Sequence, residues 1–446
     1  MEPTQIALPF PSGSGELSDD LLVDLLPAIY YAAEEHLMDF AICTTDDVDY
    51  AMLQLFRDNA CPWKSGPFWM LDERLSGMAK ELADVAGYDR LASFFGAGVS
   101  FCAGAPSWSG LLEGLAKQGG FSDEDWEQMQ KLDFMDQATL LSLRLPEEDF
   151  KQQIADAVTT DYFTPTHSLL AMLDGPAITT NYDSLFEAAA ISTGSDVVVL
   201  PQEVERSGPQ LGGPPPSSDS CPWLLKIHGT VEEPMSIVLT REDYLRYGAN
   251  KGALLGMVAH EMIVDHVLII GFSMTDQHLH EVIDTVRTLL PKNSTRKLGT
   301  ILTLKENAMF TALWEQEFNV VHMAPSTAWS TNAAWYLDAF MDHILNVVHR
   351  RSHRGLSMHP KLREFYNPAQ TSMFEGVKAM CASMGNCPED EDGAATWNKL
   401  RKFAESLGVE ASVLDPEATT STTDDNKRSR HGKKHMRVRV GKRHQG

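Results

Sequence analysis

Five short stretches of the 446-residue chain gather residue types that can hold an anion, position a water and move a proton. They are Gly96-Ala97-Gly98-Val99-Ser100, Gly104-Ala105-Pro106-Ser107-Trp108, Thr179-Thr180-Asn181-Tyr182-Asp183, Lys226-Ile227-His228-Gly229 and Gly271-Phe272-Ser273. A strand that runs into Gly-x-Gly commonly turns into a helix whose amides hold a phosphate. The usual dinucleotide fingerprint places a third glycine where Phe101 stands, so the first stretch follows another spacing. An imidazole such as His228 can accept a proton near neutral pH. A carboxamide such as Asn181 offers two donors and an acceptor without a charge. Each stretch alone is weak, and a lone histidine after a strand is more often structural. What raises them is a shared place: each lies in or just after a strand-to-helix turn, where an open α/β sheet gathers ligands.

The elements that must position them are short apolar runs alternating with helical patterns. Strands are expected at Leu91–Phe95, Ala177–Thr179, Val197–Leu200, Leu224–Ile227, Val267–Ile270 and Thr300–Leu304. Most are continuous apolar runs, as in a parallel sheet with helices on both faces. In Asp276–Leu290, residues Leu279, Val282, Ile283, Val286 and Leu290 share one helical face. The expected fold is therefore α/β and Rossmann-like, with helical additions at both ends. Residues 1–86 read as helical, with Ser18 a cap and Leu75, Met78, Leu82 and Val85 at helical spacing before Gly87. Residues 87–348 form the sheet domain, 349–415 a helical region and 416–446 a disordered basic tail. Within the sheet domain, the proline- and glycine-rich Ser207–Ser220 reads as a surface loop.

Hydrophobic residues make up 43% and charged residues 22% of the chain, which places most of it in globular units. No run approaches the ~20 apolar residues of a membrane span, and no secretory signal is read at the start. The six cysteines, Cys43, Cys61, Cys102, Cys221, Cys381 and Cys387, form no CxxC pair, so reduced thiols in the cytoplasm are expected. The net charge is −25, yet Lys427–Gly446 carries nine basic residues and no acid. The acidic body would repel nucleic acid and anionic membranes, leaving only the tail to bind either.

The motifs resemble those of the sirtuin (silent information regulator) family, in the zinc-free branch found among bacterial defence NADases. Gly96, Gly98, Ser100, Gly104 and Pro106 match the family's opening motif; Thr179, Asn181 and Asp183 its Thr-x-Asn-x-Asp; His228-Gly229 its His-Gly; Gly271 and Ser273 its Gly-x-Ser. Ser273, Asp276 and Leu279 resemble a further run of the zinc-free branch. The resemblance spans about residues 75 to 325. Departures matter too. No cysteine lies between His228 and Gly271, so the deacylases' zinc ribbon is missing, and Ser107-Trp108-Ser109 stands where they have Asp-Phe-Arg.

The resemblance implies NAD as substrate, no zinc, and cleavage of NAD+ to nicotinamide and ADP-ribose in antiviral defence. It implies Asn181, His228 and Asp183 as catalytic residues. Gly96, Ala97, Gly98, Ser100, Pro106, Trp108, Thr180, Gly271 and Ser273 would line the NAD site, with the turn's amides facing the diphosphate. Asn181 would position water or ribose, and His228 would act as a general base. Asp183 would stabilise the developing cation, fix Asn181, or simply close an Asx turn. Two other readings remain: a sirtuin-type deacylase, and a non-catalytic NAD or ADP-ribose sensor. A homo-oligomer and an activating or inhibiting protein partner are expected, since a constantly active NADase would harm its host. Cys102 has no identifiable base and is set aside as a nucleophile. His278 and His280 lie on different helical faces and form no metal pair. His167, near a helix start, reads as structural.

Overall fold

The computed structural model describes residues 71–201 and 222–323 almost continuously, helical residues 330–351, 367–383 and 396–401, and short pieces before residue 71. The loop Ser207–Ser220, the Ser18 cap and the basic tail lie outside the described residues.

Seven parallel strands form the main sheet: β3 (Leu91–Phe95), β4 (Ala177–Thr179), β5 (Val198–Leu200), β6 (Trp223–Lys226), β7 (His266–Ile270), β8 (Gly299–Thr303) and β9 (Phe318–His322). Their order is β5-β6-β4-β3-β7-β8-β9, so the first of them is central and the chain crosses to its other side at β7. The fold is an α/β, Rossmann-like, doubly wound sheet. The expected strands match to within a residue at each end, and β9 is an addition the apolar pattern did not mark. A separate parallel pair, β1 (Gln5–Pro9) and β2 (Asp39–Cys43), lies where the sequence suggested only helices.

Every residue of β3 is buried, because both faces of the sheet are covered. On one face Leu91, Phe95, Leu268 and Ile270 pack with α1 (Glu73–Gly87), α6 (Pro165–Ala171), α7 (Leu185–Thr193) and α11 (Ser330–Arg351). On the other, Ala92, Phe94, Val267 and Ile269 meet α8 (Arg241–Val264) and α9 (Gln277–Leu289). Each buried Leu, Ile or Phe side chain contributes about 1.5–3 kcal/mol. The expected face of α9 is correct, with Leu279, Val282, Ile283 and Val286 buried. Helix α1 begins at Asp72, whose side chain accepts from the Leu75 amide at 2.7 Å, and ends at Gly87 as its sequence suggests. Helix α11 runs across the expected boundary at residue 348 and packs its Phe340, Met341, Ile344 and Leu345 into the first face.

Between β3 and β4 the chain builds a small helical layer: α2 (Trp108–Gln118), α3 (Asp123–Met129), α4 (Phe134–Ser142) and α5 (Glu147–Val158). It has its own core, in which Leu112, Phe150 and Ile154 close over Tyr182, Ile237 and Leu239. Those last three residues come from the loops after β4 and β6. The layer is therefore seated on the segments that carry Asn181 and His228.

Candidate active site

Strand register sets the mouth of the sheet. Phe95 lies opposite Thr179 and Ile270, and Thr179 lies opposite Lys226. Gly96, Thr180, Ile227 and Gly271 are each the first residue beyond the ladder. Asn181 and His228 are each the second, on neighbouring strands about 4.8 Å apart. All five motif stretches thus meet at one end of four adjacent strands, or in the segment just beyond.

The glycine turn departs from the expected phosphate cradle. Its amides are mostly engaged inside the protein: Gly96 N–H donates to Ile270 O at 3.0 Å, Gly98 to Gly271 O at 2.8 Å, Val99 to Gly96 O at 3.1 Å and Ser100 to Ala97 O at 3.0 Å. The exposed Ala97 amide has no partner among the described residues. The chain leaves β3 through two single 3-10 turns, and no α-helix starts until Trp108. The glycines serve a backbone-to-backbone contact instead. A Cβ on Gly98 would lie 2.7 Å from Gly271 Cα, and one on Gly271 would lie 2.6 Å from Val99 N. Gly271 also has φ +61°, a conformation that favours glycine.

Ser100 is the hub on the Asn181 side. The Thr164 amide donates to His167 Nδ1 at 3.1 Å, so the His167 ring proton sits on Nε2. Nε2 then donates to Ser100 Oγ at 3.3 Å, and Asn181 Nδ2 donates to the same oxygen at 3.1 Å. Ser100 Oγ–H in turn donates to Asp183 Oδ2 at 2.9 Å. The other Asp183 oxygen accepts from the Leu185 amide at 3.1 Å, so Asp183 closes an Asx turn and also anchors Ser100. Burial holds the His167 imidazole down at about 4, hence neutral, against the pull of the Asp183 charge. Thr179 Oγ1 donates to Phe95 O at 2.9 Å and accepts from the Asn181 amide at 3.0 Å, fixing the backbone there. Beneath it, the fully buried Lys226 ammonium donates to Asp183 O at 2.7 Å, to Tyr182 O at 3.2 Å and to Glu187 Oε1 at 2.8 Å. With Nδ2 used, Asn181 Oδ1 is left buried and without a hydrogen-bond partner among the described residues.

The His228 side is looser. Its Nε2 lies 3.6 Å from Asp276 Oδ2 and 3.5 Å from His278 Nδ1, and its own Nδ1 is buried without a hydrogen-bond partner among the described residues. Burial pushes the imidazole down to about 4, while the Asp276 carboxylate pulls it back up. Asp276 is itself fixed: Oδ1 accepts from the Leu279 amide at 3.0 Å, and Oδ2 from Tyr244 Oη–H at 3.0 Å. Gly229, at φ +91°, lets the chain turn beneath Ser236 O immediately after the histidine.

The SIR2-like domain family matches residues 176–322, which take in the Thr179–Asp183, His228-Gly229 and Gly271–Ser273 motifs. The match takes in part of the sheet domain, from just before β4 to the end of β9. Defense-associated sirtuin 2 of Bacillus subtilis is 26% identical over 242 residues, which are 50% of this chain and 22% of that protein. NAD(+) hydrolase ThsA of Bacillus cereus (strain MSX-D12) is 27% identical over 215 residues, 47% of this chain and 42% of that one. The Enterococcus faecium protein of the same name is 27% identical over 224 residues, 48% and 44%. The chain thus spans less than half the length of these relatives. A solved Sir2 enzyme aligns over 63% of this chain and 98% of its own, with 14% identity and a TM-score of 0.34.

The remaining expected residues separate into two groups. Thr180 is buried at the mouth, whereas Ser273 is exposed and bonded to Thr275 Oγ1 at 2.7 Å. Trp108 meets Tyr182 edge-on at 6.0 Å and packs against the core of the helical layer, and Pro106 is half-buried beside it. The sequence reading missed several contributors. His167 caps its helix, as a structural residue would, but it also sets the Ser100 proton. His278 does lie apart from His280, which turns away to Met274 O at 2.8 Å and the Trp314 ring. Yet His278 meets His228, a contact that helical spacing alone could not show. Asp276 was legible as part of a motif, and its place before Leu279 marks a helix cap. Tyr244 and Lys226 gave no sequence signal beyond their motif neighbours.

Proposed function

We propose that this SIR2-like domain is an NAD+ hydrolase that releases nicotinamide and ADP-ribose. The observation that carries the reading is the pair of buried, unpartnered polar atoms, Asn181 Oδ1 and His228 Nδ1, on neighbouring strand ends. Each such atom costs about 1–3 kcal/mol, a cost that a bound ligand's hydroxyl or water offsets. The named function of the ThsA relatives supports the same chemistry.

The bond from ribose C1′ to the cationic nicotinamide ring breaks with its electron pair leaving on nicotinamide. The sugar gains oxocarbenium character, and water adds at C1′. No acid is needed for a leaving group that is already cationic. The Asp276 carboxylate beside Nε2 favours the tautomer with its proton there, so Nδ1 keeps its lone pair and takes the water's proton. Asn181 Oδ1, aimed by Ser100, accepts from the same water or from a ribose hydroxyl. Pro106, Trp108, Thr180 and Ser273 are assigned to NAD contacts, with the Ala97 amide the free backbone donor for the diphosphate.

Defence by NAD+ depletion in the cytoplasm, an oligomeric assembly and control by a protein partner belong to the proposal. The name of the Bacillus subtilis relative supports the first. The test is nicotinamide release by wild type, Asn181→Ala and His228→Ala, each checked for folding by circular dichroism. Loss of about 10²–10⁴-fold in His228→Ala is expected for a general base, with a comparable loss in Asn181→Ala. Equal rates in all three proteins would refute the assignment, and binding without turnover in wild type would leave the sensor reading.

A further inference from the structure

Behind the open nitrogen of His228 stands a group of donors that the hydrolysis does not fully use. His228, Asp276 and His278 each offer one ligand atom, and these three atoms lie within 4.8 Å of one another. Two of the three separations are 3.6 and 3.5 Å. These are too long for good hydrogen bonds, which centre near ~2.9 Å. They match the edges of a coordination tetrahedron. Zinc binds imidazole nitrogen at about 2.0–2.1 Å and carboxylate oxygen at about 2.0–2.2 Å, so its ligand atoms stand roughly 3.3–3.5 Å apart.

The donors are also in a binding-ready state. His228 and His278 are 1% and 4% exposed. The His278 ring is stacked on Tyr244 at 4.6 Å and tilted against Tyr247 at 4.1 Å. Asp276 is held by the Leu279 amide and the Tyr244 hydroxyl, the kind of outer shell that orients metal ligands. Two imidazoles and one carboxylate suit zinc and its neighbours, whereas magnesium and calcium ask for about six or more oxygens.

We infer that His228, Asp276 and His278 form an inhibitory site for a divalent transition-metal ion of the zinc class. The ion bonds Nε2, which displaces the ring proton to Nδ1. The open nitrogen changes from acceptor to donor, and the base is switched off with no group placed in the substrate's path. This inhibitory consequence rests on the hydrolase reading; the binding of metal does not. The site is distinct from a structural zinc ribbon, since it contains no cysteine.

The full chain, stripped of metal, is titrated with Zn²⁺ against a chromophoric chelator and separately with Co²⁺ followed by visible absorption. One ion per chain and the absorption of a four-coordinate site are expected. Asp276→Asn and His278→Gln should each weaken that ion by about tenfold or more, and Tyr244→Phe by about tenfold through the outer shell. Other histidines, such as His431, His435 and His444, are common to all variants, so only the site-dependent binding counts. Zn²⁺ should lower kcat for nicotinamide release with KM unchanged, and chelator should restore it. Absence of one-to-one binding in wild type, or equal binding in both ligand variants, would overturn the site. Specific binding in a protein that never releases nicotinamide would sink the hydrolase reading and leave the metal site standing.

Discussion

Ser100 Oγ holds Asp183, Asn181 and His167 at 2.9, 3.1 and 3.3 Å, whereas His228 Nε2 meets Asp276 and His278 only at 3.6 and 3.5 Å. Both clusters are buried at the same end of the same sheet. On the first side every proton has one place to go, from the Thr164 amide through His167 and Ser100 to Asp183. On the second, the imidazole has neighbours but no committed bond. The difference separates two jobs. On the proposed mechanism, Asn181 is aimed by the committed bond from its Nδ2, and His228, which must change its protonation, is left loose. Tight bonding would fix His228 in one state and raise the cost of leaving it.

The contrast breaks most severely under the Asn181 side, at Lys226. Replacing it with methionine leaves Glu187 and two carbonyls without their cation, and should cost about 3–5 kcal/mol in urea unfolding. A cost below about 1 kcal/mol would mean that the floor beneath Asn181 is not rigid. Ser100→Ala comes next. It strips Asn181 and Asp183 of a shared partner, with an expected loss of about 1–3 kcal/mol and a fall in turnover.

Acid offers a third probe. His167 and His228 are both held down to about 4 by burial, so their ring resonances should not titrate between pH 8 and 5. The unfolded imidazole binds its proton near pH 6.5, so the stability each group contributes is complete above that pH and declines as pH falls toward 4. The slope is up to about 1.4 kcal/mol per pH unit for each. The half-buried Asp338 carboxyl, pushed up to about 7, acts in the opposite sense and offsets part of that slope. The smallest stability effect is expected on the loose side. Asp276→Asn keeps the cap on the Leu279 amide and should cost under about 1 kcal/mol. Its turnover should still drop by about tenfold or more, as Nδ1 loses its tautomer preference. If this variant unfolds as easily as Ser100→Ala, the contrast between the two sides fails.

Much of this arrangement was legible in the chain. Strands buried on both faces write themselves as unbroken apolar runs, and turns at their ends carry the polar residues, so Leu91–Phe95 and the residues after it could be placed. The Thr179–Asp183 spacing also showed through, because part of its bonding is local: the Asn181 amide donates to Thr179 Oγ1 and the Leu185 amide to Asp183. What stayed hidden depends on distant partners. The helical layer of residues 108–158 closes over Tyr182, Ile237 and Leu239, and nothing in its own periodicity names them. His278 meets His228 across 50 positions of sequence. The glycine turn misled for a related reason. Gly-x-Gly announces close approach, and the approaching group is the Gly271 backbone rather than a ligand alone.

Strand order has a further consequence, in time rather than in space. The central strand ends at Phe95, yet one of its two neighbours is not made until His266–Ile270. At synthesis rates of about 5–20 residues per second, the roughly 170 residues between them take about 10–35 seconds. Through that interval one edge of β3 has no strand to pair with, and the Gly98–Gly271 contact cannot form. Asp276 and His278, the neighbours of His228, follow β7 in the chain and join the mouth of the sheet only after that interval.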